Sequence, residues 1–407
     1  MLKQNKFTSI ITISGTALAI MMIMTLIITQ EIKTISVTPE SNRSRTMYIK
    51  WRTLEKKDNK AWRSSGPMSY NEVKNYISEM KSPEIVSAII PENSFFINIV
   101  TTGQKRNKEL VDMKSVDHNY WKIMTFNFVE GDPFTEADFN SALKKTVISE
   151  SLAKKLFGNE GATGKKINLN FEEFTVTGVV KNVSPVFKYA YADMWTPYTT
   201  NDMHKTWNIF KILLLAKDKK DFDTITKEAR SVEQKYNATE DFTITLRGPY
   251  KPDVEPIEAG SDREPDIASE KWKMVFILTI LVLIPAINLL SFSLYRMRKR
   301  TEEIGVRKSF GAKKQTILFQ VLYENMITSL IGGILGLALS FITVNWLKNW
   351  LLGVDSASIV PLNTLISPFV FVAVFTVCFI INVLSAGIPA YKAARMNIVR
   401  SLNQNKK

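Results

Sequence analysis

YRMRKRTEEIGVRKSFGAKKQ, residues 295–315, lies between two long apolar segments, and its composition governs how the rest of the chain is read. Eight of its residues are Lys or Arg, and two, Glu302 and Glu303, are acidic. A short Lys/Arg-rich loop between membrane spans faces the cytoplasm, because the basic bias of such loops sets orientation. The loop also carries more pattern than an anchor needs. Ile304 and Val306 form an apolar pair, while Gly305 and Gly311 supply breaks. Charge, apolar pair and break together predict a surface on which another protein docks.

Outward from this loop, four apolar segments cover Phe7–Thr29, Met274–Tyr295, Ile317–Trp346 and Leu365–Ala390, each at least 22 residues long. At about 1.5 Å rise per residue, such a helix spans the roughly 30 Å hydrocarbon core of a bilayer. Residues 30–273 contain no comparable run. The expected fold is an α-helical membrane protein with four transmembrane helices, one plus three, and a mixed α/β extracytoplasmic domain between the first and second. The expected divisions are residues 1–29 (N-terminus and first span), 30–273 (outer domain) and 274–407 (three spans, the loop 295–315 and a basic tail 391–407). The first segment is longer than a signal-peptide core and no A-x-A-like site follows, so it reads as a retained span.

The charge distribution sets the orientation. Of the net +14, all but one unit comes from Lys3 and Lys6, the loop, and the tail residues Lys392, Arg395, Arg400, Lys406 and Lys407. These three places flank membrane segments, which predicts cytoplasmic termini and loop and an outer domain on the far side of the membrane. The outer domain is nearly neutral, so the basic balance does not indicate a nucleic-acid partner. Cys378 is the only cysteine, which excludes an intrachain disulfide.

Within the outer domain, Ser69 and Glu72 form a capping-box pattern, and Val73, Tyr76, Ile77 and Met80 follow at helical spacing, predicting a helix over 70–80. IVSAII (85–90) and FFINIV (95–100) read as strands. Ser149 precedes a helix that stops at Gly158. Residues 166–181 alternate apolar and polar on both sides of Glu172–Glu173, predicting a hairpin. Residues 209–217 read as a buried strand and 241–246 as another. Between them, Phe222, Ile225, Ala229, Val232 and Tyr236 mark one face of a helix. Four prolines and six acids make 249–266 a loop leading to the second span.

Catalytic constellations mostly fail to appear, which makes an extracytoplasmic enzyme the weakest of the readings. The two histidines, His118 and His204, have no cysteine nearby for a zinc site, and no G-x-S-x-G elbow occurs. GNEGATGKK (158–166) lacks the glycine spacing and the hydroxyl residue of a phosphate loop. The expectation is a non-catalytic chain that binds no metal or cofactor. In the third span, Gly332 and Gly336 form a small-xxx-small pair suited either to packing within the chain or to a dimer or moving-helix interface. Glu324 lies inside the same span, where a charge is costly, and either reaches the headgroups or pairs with a basic residue of the loop. The spans have no polar row suited to a water-filled path.

RKRTEEIGVRKSFGAKKQTILFQVLYENMITSLIGGILGLALS (298–340) and IPAYKAARMNIVRSL (388–402) resemble the permease subunits of MacB/FtsX-type ABC transporters. VDHNYWKIMTFNFVEGDPFTEADF (116–139) and TVISESLAKKLFGNEGATGKKINLNFEEFTVTGVV (146–180) resemble the MacB-like periplasmic core domain. Relatives of this kind begin with a longer amphipathic stretch than the MLKQNK seen here. The resemblance implies a pair of permease chains, identical or related, working with cytoplasmic ABC ATPase subunits that hold ATP and magnesium. Membrane lipids and a periplasmic or outer-membrane protein complete the implied partners. It also implies a coupling segment of Arg298, Lys299, Arg300, Glu302, Glu303, Ile304, Gly305, Val306, Arg307, Lys308, Gly311 and Ala312. In that segment Glu302, Glu303, Arg307 and Lys308 dock by charge, Ile304 and Val306 fill an apolar cleft, and Gly311 ends the helix. ATP-driven motion would pass through the spans to the outer domain without substrate crossing the membrane. A membrane-anchored receptor with an outer ligand-binding domain is the alternative reading.

Overall fold

The computed structural model describes residues 6–31, 35–59, 61–91, 97–103, 108–257, 265–299, 306–307, 309–352, 371–377, 379–380, 383–384, 387 and 391. The chain divides into two compact units. One holds Met1–Glu31, Ala268–Lys348 and Pro361–Lys407, and the other holds Ile32–Ile267 with Asn349–Val360.

The first unit is helical. Its long helices are α1 (Lys6–Glu31), α4 (Ile267–Lys299) and α5 (Lys314–Leu352). Among the described residues, Met326–Leu347 is the segment long and apolar enough to cross a membrane, with mean hydropathy 2.1, and Ile13–Ile28 is a shorter apolar run. The second expected span lies within α4, and much of the fourth lies outside the described residues. Phe276, Ile280 and Ile287 of α4, like Leu330, Ile334 and Ile342 of α5, are exposed. Outward-facing apolar side chains along a helix suit lipid rather than water as solvent.

The second unit is built on strands β1 (Thr46–Ile49), β2 (Trp51–Lys56), β3 (Arg63–Gly66), β4 (Ile85–Ile90), β5 (Ile99–Thr101), β6 (Lys108–Leu110) and β7 (Met113–Val116). They are followed by β8 (Phe128–Gly131), β9 (Lys145–Ser149), β10 (Lys166–Leu169), β11 (Glu172–Val180), β12 (Met194–Pro197), β13 (Lys211–Leu215) and β14 (Phe242–Arg247). The main sheet runs β1-β13-β4-β7-β12-β9-β11-β10-β5-β6, with β8 beside β11, and a small sheet runs β14-β2-β3. β9 pairs parallel to β11 and β7 parallel to β12; the other pairs are antiparallel.

β13 shows why its sequence is uniformly apolar. Ile212 and Leu214 enter one core with Ile225 and Ala229, while Leu213 and Leu215 enter another with Trp195 and Tyr120. Successive strand residues point to opposite faces, so a strand covered on both sides needs an unbroken apolar run. Helix α3 (Phe222–Thr239) buries Phe222, Ile225, Ala229 and Tyr236, four positions of the expected face. Helix α2 (Glu150–Phe157) starts at Ser149, whose side chain accepts from Leu152 N, and ends at Gly158, where φ is +68°.

Several expectations needed correction. The helix over 70–80 is α-helical only at Tyr70–Glu72, then widens to a π turn at Val73–Ile77, with Ser78 N donating to Val73 O at 2.8 Å. The expected strand 95–100 is paired only over Ile99–Thr101, and 92–96 lie outside the described residues. The hairpin turns at Asn170–Phe171 rather than at the glutamate pair, because Leu169 pairs with Glu172 and both turn residues have positive φ, 47° and 74°. That is the two-residue turn whose twist matches the strands. Part of the expected loop 249–266 is core: Tyr250 exchanges backbone hydrogen bonds with Tyr48, and Glu255 is buried. Residues 258–264 lie outside the described residues.

Candidate functional site

The expected coupling segment starts on helix and ends on a closed turn. Arg298 and Lys299 form the last backbone positions of α4. Arg300, Glu302, Glu303, Ile304, Gly305 and Lys308 lie outside the described residues. Val306 and Arg307 are helical, and Phe310 N donates to Val306 O at 3.2 Å. Gly311 follows with φ +88°, and Ala312 N reaches back to Arg307 O at 3.0 Å. This six-to-one bond around a left-handed glycine is the Schellman ending of a helix. Arg307 Nη1 donates to Gln320 Oε1 at 2.8 Å, which ties the turn to the beginning of α5. Gln320 escaped the sequence reading, as did the exposed Phe310 beside Gly311. The signal for Gln320 was its position one helical turn before Glu324. The Glu324 side chain lies outside the described residues.

Deeper in α5, Gly332 and Gly336 face α1. A Cβ at Gly332 would meet Thr16 Cβ at 2.8 Å and Ile13 O at 3.1 Å; one at Gly336 would meet Ala17 O at 2.8 Å. Gly333, on the adjoining face, lies against the Phe375 ring. Thr343 Oγ1 donates to Met21 Sδ at 3.3 Å further along the same contact. The glycine pair therefore serves close packing inside the chain, where small residues let helix backbones approach.

In the second unit the motif residue Asp117 is buried. Its Oδ1 accepts from Ser87 Oγ at 2.7 Å and Tyr120 N at 2.9 Å, and Oδ2 accepts from Ala88 N at 2.8 Å. Burial outweighs these hydrogen bonds and pushes its carboxyl up to about 6. Asp117 and His118 border a cavity of about 420 Å³, and His204 lines another of about 470 Å³. Burial lowers the His118 imidazole below its ordinary value. Among the described residues no group of three or more His, Cys, Asp or Glu side chains converges as a metal site would require.

The 158–166 loop holds an anion after all, but an internal one. Glu130 Oε2 accepts from Ala162 N at 3.0 Å and from Thr163 N and Oγ1 at 3.3 Å each. A second arrangement invisible in the sequence gathers Glu40, Arg43, Lys50 and Glu255 in the interior. Burial raises the Glu40 carboxyl against the pull of Arg43. Burial also opposes ionisation of Glu255, yet the charge and hydrogen bond of Lys50, with the Tyr189 hydroxyl, hold its carboxyl below the usual carboxylate value.

Residues 9–232 match the family model of the MacB-like periplasmic core domain, and residues 275–398 match that of the FtsX-like permease C-terminal. The chain belongs to the MacB/FtsX-type ABC permease family. Bacillus subtilis has a relative described as an uncharacterized ABC transporter permease, YknZ; it is 24% identical over 294 residues, covering 71% of this chain and 69% of that protein. The macrolide export ATP-binding/permease protein MacB of Wolinella succinogenes is 27% identical over 326 residues, covering 78% of this chain and 47% of that protein. The permease thus spans about half the length of the MacB relatives it matches. The crystal structure of the extracellular domain of YknZ aligns at 15% identity with 49% of this chain and all (100%) of that domain, with a TM-score of 0.37.

Proposed function

We propose that this permease transmits the motion of a cytoplasmic ABC ATPase across the inner membrane to its outer domain, without itself hydrolysing ATP. In this reading the chain crosses the membrane four times, with both termini and the 295–315 loop in the cytoplasm. It binds no cofactor; ATP and magnesium reside in the ATPase. Two permease chains, identical or related, pair across the complex, and export, extraction or signalling is the output.

The observation that carries the reading is the joint behind the loop. The turn ending at Gly311 is bonded to α5 through Arg307 and Gln320, and α5 is packed glycine-close on α1. A push on the turn therefore acts on two helices together rather than on a loose linker. Glu302, Glu303, Arg307 and Lys308 supply docking charge, Ile304 and Val306 the apolar contact.

The test is affinity purification of the full-length chain in mild detergent from cells that express the ATPase. The reading expects an ATP-hydrolysing subunit to co-purify and to be lost when Glu303→Lys and Arg307→Glu are introduced together. A preparation that never carries an ATPase would sink it and favour a membrane-anchored receptor.

A further inference from the structure

Four charged side chains are packed together inside the outer domain: Glu40 is 1% exposed, Arg43 4%, Lys50 3% and Glu255 2%. Lys50 Nζ lies 2.6 Å from Glu255 Oε1 and also donates to the backbone oxygen of Glu255 at 2.8 Å. The Tyr189 hydroxyl donates to the same Oε1 at 2.6 Å. Arg43 sits between the two acids, 3.4 Å from Glu40 Oε2 and 3.9 Å from Glu255 Oε2. Glu40 Oε1 accepts from Tyr189 N at 2.9 Å and Ala190 N at 3.1 Å. Tyr48 and Tyr250 exchange backbone hydrogen bonds of 3.0 and 2.8 Å, and the Tyr48 and Tyr189 rings stack at 4.6 Å.

The places these residues hold in the chain are informative. Glu40 and Arg43 stand on the segment that follows α1, which ends at Glu31. Glu255 stands on the segment that precedes α4, which begins at Ile267. Lys50 separates β1 of the main sheet from β2 of the small sheet. One cluster therefore gathers the chain arriving from α1, the chain departing to α4, and the junction of both sheets. Replacing buried ion pairs by apolar groups of the same volume is often neutral or stabilising, because desolvating charges offsets much of their attraction. What matched charges add is register. Apolar surfaces can slip past one another, whereas the close contacts of Lys50 and the Tyr189 hydroxyl with Glu255 form in one alignment only, with Arg43 lying more loosely between the two acids.

We propose that the Glu40–Arg43–Lys50–Glu255 cluster is a clasp that locks the two connecting segments of the outer domain in fixed register, with Glu255 as its positioning residue. Force arriving along either segment then reaches both sheets through one joint. This role rests on the mechanical reading above; the existence of the clasp does not.

The experiment uses the full-length permease with its ATPase in proteoliposomes. Amide exchange at Tyr48 and Tyr250 is measured together with the ATP-dependent change in distance between spin labels on the two outer domains. Glu255→Gln is expected to speed exchange at both amides by about tenfold or more and to abolish the displacement while ATPase binding persists. The paired variant Lys50→Met with Glu255→Met is expected to match the parent in thermal stability but not to recover displacement. Should the pair fail to fold, Glu255→Asp, which keeps the charge and withdraws it from Lys50, is expected to give the same loss. Unchanged exchange in Glu255→Gln overturns the clasp. Full displacement in the Met pair, or in Glu255→Asp where that pair does not fold, overturns its positioning role. If the parent itself shows no ATP-dependent displacement, the mechanical reading fails, and the exchange result still decides whether the clasp exists.

Discussion

Gly332 and Thr16 approach so closely that a methyl group on the glycine would lie 2.8 Å from the threonine Cβ. Thr16 Cβ is fixed to its backbone, so relief requires the helices to separate. Gly332→Ala should therefore lower stability by about 1–3 kcal/mol, the usual range for overpacking. Thermal unfolding of the detergent-solubilised chain measures this. Adding Thr16→Gly should recover part of the loss; no recovery would mean that the strain arises elsewhere.

Gly311 has open space around its Cβ position but a φ of +88°. Gly311→Ala should fray the turn for conformational reasons alone, at about 1–2 kcal/mol. Gly311→Asn should be milder, because asparagine tolerates left-handed backbone better. Amide exchange at Ala312, which bonds to Arg307 O, reports the fraying directly.

Phe171 invites the opposite change. It is fully exposed, at the tip of the β10–β11 hairpin, with φ +74°. Phe171→Gly removes no packed surface and yields the Asn-Gly pair favoured in two-residue turns. Stability should rise by about 1 kcal/mol, read as a higher melting temperature. An unchanged or lower value would show that the positive φ at this position carries no net strain.

Asp117 and Glu255 push the pH dependence of the second unit in opposite directions; Glu40 and Asp193 act in the sense of Asp117, Asp138 and Glu228 in the sense of Glu255. Asp117 has a folded-state carboxyl near 6, raised by burial from 3.8. Its contribution to stability is full below about pH 4 and lost as pH rises to about 6, an effect of roughly 3 kcal/mol. Glu255 is held below its ordinary value, so its contribution is full above the ordinary glutamate range and is lost as pH falls through its folded value. Unfolding monitored by tryptophan fluorescence should show stability falling between about pH 4 and 6. Asp117→Asn should reduce that fall while leaving the loss at lower pH.

The sequence was most legible where the signal is local. The face Phe222, Ile225, Ala229, Tyr236 identifies α3 because each buried position lies on one stripe of a single helix. Ser149 and Gly158 bracket α2 because a cap bonds its own neighbours. The hairpin was legible but its turn was misplaced, since a left-handed phenylalanine violates the turn preferences on which such readings rest. Glu255 was read as part of an acidic loop because its partner Lys50 is 205 positions away. Burial of a charge leaves no mark on the residues beside it. The basic loop 295–315 was legible as composition, whereas the tie of Arg307 to Gln320 depends on chain segments meeting after a reversal of direction.

Glu130 gives the 158–166 loop a tethered competitor. Its carboxylate occupies the amides of Ala162 and Thr163 that a free anion would seek. A covalently linked group acts at an effective concentration of order millimolar or higher when the geometry is favourable. These two amide donors are thereby satisfied from within the fold, and the loop closes on a side chain of its own chain.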